Sequence, residues 1–309
     1  MPSTSHLLRV SAPGSLMLMG EHAVLHGSHA LCAAINQRMR LTLRPSNDRR
    51  FTIQSSLGNF DGELNEIEVC KPFQFVLQAI QQANLSKGFS LSIQSDFSST
   101  IGFGSSAAVT VGVVSLLRSM QEKAFDRAAI FEESLSVIRT VQGTASGSDL
   151  AAATYGGVVN YRAEPRGIQP LRVSLPLSVV YAGYKTPTSE VISTIEKVRK
   201  LHPERFEQLF GLIDDCVKDA TVAIRNGNLK KLGELVNLHH GLQSAMGCSD
   251  ETLEYLIYQL RKQEGVIGAK ISGSGLGDCV IGLGTSAAKV SGYDHFSIDV
   301  DPEGVRFEN

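Results

Sequence analysis

The segment IGFGSSAAVTVGVVSLL, residues 101–117, sets two glycines and two adjacent serines directly before an apolar run. The glycines and serines at 102 and 104–106 leave backbone N–H groups uncovered, and a helix over 107–117 would turn its positive N-terminal end toward whatever occupies the loop. That is the chemistry of an anion site. The hydroxyls of Ser105 and Ser106 could serve a phosphate or a magnesium ion, which takes hard oxygen ligands. The same residues could instead form a tight turn capping a buried helix, since the loop carries neither GxxxxGK[ST] nor a full GxGxxG. Two further segments bear on the choice. VSAPGSLMLMGEHAVLHGSHAL near the N-terminus and KISGSGLGDCVIGLG near the C-terminus each join small residues to a strand-like apolar run, so three glycine-rich loops could converge on one polyanion.

Such loops need elements to hold them. LLRVSA, MRLTLRP, RRFTIQSS and FSLSIQSD have alternation or β-branched residues, bounded by Gly, Pro, Asn and Ser, and read as strands. KPFQFVLQAIQQAN has apolar residues at Phe73, Phe75, Val76 and Ile80 with a terminal Asn, a helical period with its stop signal. Beyond it, SEVISTIEKVRKL, ERFEQLFGLIDDCVKDATVAIRNG and ETLEYLIYQLRKQEG have helical spacing, and GAKISGSGLGDCVIGLG returns to strand and loop. The class is α+β with the two element types partly segregated. We expect two lobes, divided in the turn-rich YRAEPRGIQPLRV into residues 1–170 and 171–309.

Composition narrows the function. With 42% hydrophobic residues and a net charge of −2 over 309 residues, the chain can bury large cores and has no basic field to draw it onto nucleic acid or anionic lipid. Partners are expected to be small molecules. Cys32, Cys70, Cys216, Cys248 and Cys279 are odd in number and never spaced as a zinc or redox pair, which suits a reducing compartment. MPSTSHLLRVSAPG lacks the regions of a secretory signal, and no apolar run approaches the roughly 18 residues of a membrane span, so a cytoplasmic protein is expected. His239 and His240 are adjacent; neighbours on a helix point about 100° apart and do not readily share one metal ion.

In order and over nearly the whole chain, the three glycine-rich segments resemble the three motifs of the small-molecule kinases named after galactokinase, homoserine kinase, mevalonate kinase and phosphomevalonate kinase, the GHMP kinases. PGSLMLMGEHAVLHG is similar in particular to the first motif of mevalonate kinases. The resemblance implies an N-terminal lobe like ribosomal protein S5 domain 2, a ferredoxin-like C-terminal lobe, and ATP and substrate in the cleft between them. Gly102, Phe103, Gly104, Ser105, Ser106 and Ala107 would then cradle the ATP phosphates, with Ser106 on the magnesium. Glu21 and His22 would line the alcohol pocket, and the third motif, including Gly273, Ser274 and Gly275, would close it. SGSDLAAATYGG resembles the family's SGxD segment, which makes Asp149 the catalytic base, flanked by Ser146 and Gly147 on the substrate side. Read without the family, Asp149 is equally a helix N-cap. A homodimer is common among such kinases.

The departures are specific. Ser15 stands where mevalonate kinases usually carry Lys, and Lys185, beside Thr188 on the substrate side, is the candidate replacement cation. The family's magnesium-binding Glu would fall near Ile138; Glu132 and Glu133 lie upstream, on what reads as a solvated helix face. The first motif points to phosphorylation of the 5-hydroxyl of mevalonate. SGSDLAAATYGG and GLGDC look closer to phosphomevalonate kinases, whose substrate should require extra cations, Lys185, Arg139 and Arg162 being candidates. A sensor that binds ATP and ligand without turnover is the third reading.

Overall fold

The computed structural model describes residues 7–98, 101–285 and 289–308. The first six residues, on which the reading of the N-terminal stretch partly rests, lie outside them.

The chain opens on two long antiparallel strands, β1 (Leu8–Met19) and β2 (His29–Pro45), joined through a 3-10 turn at Ala23–His26. The stretches LLRVSA and MRLTLRP are only their ends: β1 continues through Pro13 and Gly14 because a register shift there absorbs the proline. Next come β3 (Arg50–Ser55), β4 (Gly58–Glu63), α1 (Gln74–Ala83), β5 (Phe89–Ser95), α2 (Ser105–Met120), α3 (Arg127–Gln142), α4 (Ser148–Tyr155), β6 (Val158–Arg162) and β7 (Gly167–Leu171). The helix expected over 107–117 begins two residues earlier, and α1 stops at Asn84, which adopts the left-handed conformation. These strands form one sheet along the path β1–β2–β5–β3–β4, with β6 and β7 branching from β2.

Between Leu171 and Pro176 the chain enters a second sheet. Its elements are β8 (Pro176–Lys185), α5 (Thr188–Leu201), α6 (Pro203–Arg225), α7 (Leu229–Ala245), α8 (Glu251–Arg261), β9 (Val266–Ser272), β10 (Gly277–Gly284) and β11 (Asp294–Asp299). The antiparallel order β11–β8–β10–β9 places the first and third strands side by side at the centre, as in a ferredoxin-like sheet. A short final strand, β12 (Arg306–Phe307), returns to pair with β1.

Strand period explains how the lobes join. On β2, Ala30, Cys32 and Ala34 face the core built with α1 to α4, whereas Leu31, Ala33 and Ile35 face the core built with α6 to α8 and the second sheet. On β1, Leu16 and Leu18 face the second core and Met17 the first. A strand covered on both faces needs a near-continuous apolar run, and LMLM and ALCAAI supply it. The loops that follow β1 and precede α2 and α4 are therefore anchored in a doubly packed layer.

Candidate active site

A cavity of about 500 Å³ lies between the lobes. Met17, Glu21 and His22 line it from β1 and the turn after it, Ser106 and Ala107 from α2, Asp149 from α4, Thr188 from α5, and Gly273 and Ser274 from the loop before β10. Ser146 and Gly147 complete the wall beside Asp149. Three helices thus present their first turns, with unpaired backbone N–H groups, to one space.

The loop before α2 depends on two glycines for room. Gly104 is the N-cap of α2 with φ +66°, and a Cβ there would sit 1.9 Å from Ser15 Oγ. A Cβ on Gly102 would sit 2.2 Å from the Asp278 carboxylate, whose Oδ1 accepts the Gly102 N–H at 2.8 Å. Phe103 is buried against Phe97 and Phe296 and contributes its backbone, its carbonyl accepting the Ser15 N–H. Ser105 and Ser106 are the first two residues of α2.

Asp149 is the second residue of α4, one position inside the helix; the N-cap is Gly147, with φ +94°. Its Oδ1 accepts from Ser15 Oγ at 2.7 Å and from the Cys32 thiol at 3.6 Å. Burial, reinforced by the Asp149 charge, raises the Cys32 pKa well above the ordinary thiol range, so Cys32 remains a donor. Ser146 and Ser148 share a hydroxyl contact, and Tyr161 donates its phenol to the Ser146 carbonyl, which fixes the turn into α4.

On the facing wall His22 has φ +61°, a conformation that costs free energy in a non-glycine residue and is concentrated at functional sites. Its Nε2 lies 2.8 Å from the Ser274 carbonyl; since a carbonyl only accepts, Nε2 carries the hydrogen. Burial lowers its pKa, outweighing the Ser274 bond, so the ring is neutral near pH 7. Glu21, 3% exposed, pairs with Lys270 at 2.5 Å and accepts the Gly273 N–H at 3.3 Å. Gly275 does not line the cavity; a Cβ on it would meet the Cys248 carbonyl at 2.2 Å, so it serves loop packing.

Other expected residues fall elsewhere. Lys185 pairs with Asp278 at 2.8 Å and is not among the cavity-lining side chains, so its charge backs the Gly102 turn and does not stand in for the missing lysine beside Asp149. Glu132 pairs with Arg166 and Glu133 with Arg118, away from the cavity, as a solvated helix face requires. Ile138 does line the cavity, an apolar side chain where the resemblance put a metal ligand. Arg162 donates to the Gly27 carbonyl at 2.7 Å, and no Lys or Arg lines the cavity among the described residues. His239 and His240 diverge as a helix dictates: His239 Nε2 accepts the Gly20 N–H at 2.8 Å and His240 Nε2 meets Glu254 at 3.2 Å. Ser15 and Lys270 were missed as site residues, although both lie inside the quoted glycine-rich segments.

Known proteins are similar to this chain in sequence and in fold. Residues 71–157 match the GHMP kinases N terminal domain, residues 220–292 the GHMP kinases C terminal domain, and residues 3–45 the galactokinase galactose-binding signature. A mevalonate kinase of Archaeoglobus fulgidus is 32% identical over 301 residues, covering 96% of this chain and 99% of the relative. The chain belongs to the GHMP kinase family. A second relative of this GHMP kinase, a mevalonate kinase of Aeropyrum pernix, is 30% identical over 97% of the chain and 98% of its own length. The crystal structure of Methanococcus jannaschii mevalonate kinase shares the fold of this GHMP kinase, with a TM-score of 0.79 at 22% identity, covering 97% of this chain and 99% of that one.

Proposed function

We propose that this GHMP kinase transfers the γ-phosphoryl group of ATP to the 5-hydroxyl of mevalonate, in the supply of isoprenoid precursors. The observation that carries the reading is the facing of Asp149, held by Ser15, toward a cavity that also takes in the first turn of α2 and the Glu21–His22 turn. Phosphoryl transfer requires an aligned nucleophile, neutralised phosphate charge and a proton acceptor. The Asp149 oxygen not engaged by Ser15 accepts the hydroxyl proton as the substrate oxygen attacks phosphorus and ADP leaves. The N–H groups at the start of α2, with Ser105, Ser106 and Ala107, bind the phosphates, and Lys185 and Asp278 stiffen Gly102 behind them. The open first turn of α5 at Thr188, which has no side-chain cap, suits the substrate carboxylate.

Magnesium fits as an ion carried by the nucleotide. The described residues contain no cluster of three acidic, histidine or cysteine groups that could cage it, whereas the Ser106 hydroxyl lines the cavity as a hard oxygen donor. When bound, the ion supplies charge neutralisation on the phosphates. The lack of Lys and Arg among the described lining residues favours an alcohol without a phosphate of its own over 5-phosphomevalonate.

The test is magnesium-dependent ADP release with mevalonate, 5-phosphomevalonate, homoserine and galactose in parallel. Turnover on mevalonate is expected, with Asp149→Asn lowering kcat by about 100-fold or more while ATP still binds. Turnover on 5-phosphomevalonate alone would reverse the substrate choice, and ATP binding with no turnover on any alcohol would make the protein a sensor.

A further inference from the structure

Two side chains that no step above uses reach the Glu21 turn from the C-terminal lobe. Lys270 on β9 is wholly buried, with Nζ 2.5 Å from Glu21 Oε1 and its other hydrogen bond to the Ile271 carbonyl. His239 on α7 is equally buried and accepts the Gly20 N–H, which requires a bare Nε2. Burial, then the Lys270 charge, drives the His239 pKa well below its usual value, in keeping with that neutral ring. Its Nε2 stands 3.6 Å from Glu21 Oε2 and has no proton to offer; Oε2 is buried without a hydrogen-bond partner among the described residues. The other ionisable groups facing Glu21 are His22, Cys32 and Cys248; burial raises the pKa of both thiols, so neither carries charge. Among the described residues, Lys270 is thus the one positive charge set against this carboxylate.

The pair joins two walls of the cavity. Glu21 Oε1 takes both the Lys270 ammonium and the Gly273 N–H, and next to it His22 donates to the Ser274 carbonyl. Glu21 and His22 belong to the N-terminal lobe, Gly273 and Ser274 to the C-terminal lobe, and all four line the cavity. Two charges buried together contribute little net stability, because desolvation offsets their attraction; removing one alone leaves the other stranded. A registry role accounts better for such a pair at this seam than a stabilising one.

We propose that Lys270 is a positioning residue for the alcohol substrate: through Glu21 it sets the spacing between the 20–22 turn and the 273–274 loop, between which the substrate is gripped. His239 holds the same turn by its backbone. The inference rests on the kinase reading above and adds to it a residue remote from the reacting atoms that governs substrate affinity.

The experiment compares Lys270→Met, Glu21→Gln and the double variant in steady-state kinetics on the alcohol the wild type turns over. Lys270→Met is expected to raise the KM for that alcohol about tenfold or more while the KM for ATP stays within about twofold, because misplacement is confined to the alcohol side. The double variant is expected to show a rise no larger than Glu21→Gln alone, since residues acting through one another are not additive. The double variant buries neither charge, so it keeps the test open if Lys270→Met fails to fold: an alcohol KM raised no further than in Glu21→Gln supports the proposal, and one raised further, or a native one, overturns it. Multiplying effects, or equal rises for alcohol and ATP, also overturn it. A wild type that turns over no alcohol overturns the kinase reading itself and this inference with it; wild-type turnover with native KM in the variants overturns the inference alone.

Discussion

Ser15, which stands where the family resemblance put a lysine, is a neutral donor, and its hydroxyl goes to Asp149 at 2.7 Å. Ser15 is 1% exposed and its N–H is held by the Phe103 carbonyl, so the donor is fixed relative to both the carboxylate and the loop before α2. A hydrogen bond to a charged group is worth about 1.5–3 kcal/mol. If that bond orients Asp149 in the transition state, Ser15→Ala lowers kcat by about 10- to 100-fold and leaves the KM for ATP nearly unchanged. Steady-state kinetics check this, and an unchanged kcat would mean that Cys32 and the α4 backbone orient the carboxylate unaided. Ser15 was legible as a departure from a pattern; its partner was not, because Ser15 and Asp149 lie 134 residues apart and meet only when α4 packs against β1.

Among elements, α2 has the largest part in the site. It is largely apolar and buried among α1, α3, α4 and β1, so its polar first turn, Ser105 and Ser106, is held at the cavity, which Ser106 lines. The loop before it tolerates no added methyl at Gly102: a Cβ there would press into the Asp278 carboxylate, displacing the bond from the Gly102 N–H and disturbing the Lys185 pair. Gly102→Ala is therefore expected to lower kcat/KM for ATP about 10- to 100-fold while the alcohol KM is little affected. Titration of both substrates against the variant distinguishes this from general unfolding. Here the glycine and serine pattern suited an anion loop or a tight helix-capping turn, and the helical run behind it was readable from its length. That the carboxylate behind Gly102 comes from β10, 176 residues away, was not.

Across the whole molecule, the end of the chain is tied back to its beginning. Arg38 on β2, 4% exposed, donates to Ser11 Oγ, the carbonyls of Ser11, Glu303 and Gly304, and the Asp301 carboxylate. Burial lowers its pKa and Asp301 opposes that shift, as expected of a desolvated pair. Arg38→Met would strand Asp301 and three carbonyls, costing about 3–5 kcal/mol, the range for breaking a buried pair from one side. Urea unfolding should show it as a lower midpoint at unchanged slope. The cost should be far smaller for Arg40→Met, whose side chain is 51% exposed in its pair with Asp96.

The sequence alone determined whatever depends on neighbours along the chain. Period-two runs gave strands, a 3.6-residue period gave helices, and the spacing of small residues gave three loops; it was the resemblance of those loops to the motifs of a kinase family, and of SGSDLAAATYGG to that family's SGxD segment, that pointed to a kinase and to Asp149. The tertiary structure decided which side chains answer one another. Lys185 turns to Asp278 and leaves Asp149 to Ser15, Glu132 and Glu133 turn to arginines outside the cavity, and Lys270 crosses the lobes to Glu21. The physical reason is range. Backbone preference and apolar period are local quantities, whereas the partner of a buried charge is set by desolvation, which exists only once two distant segments have closed over it.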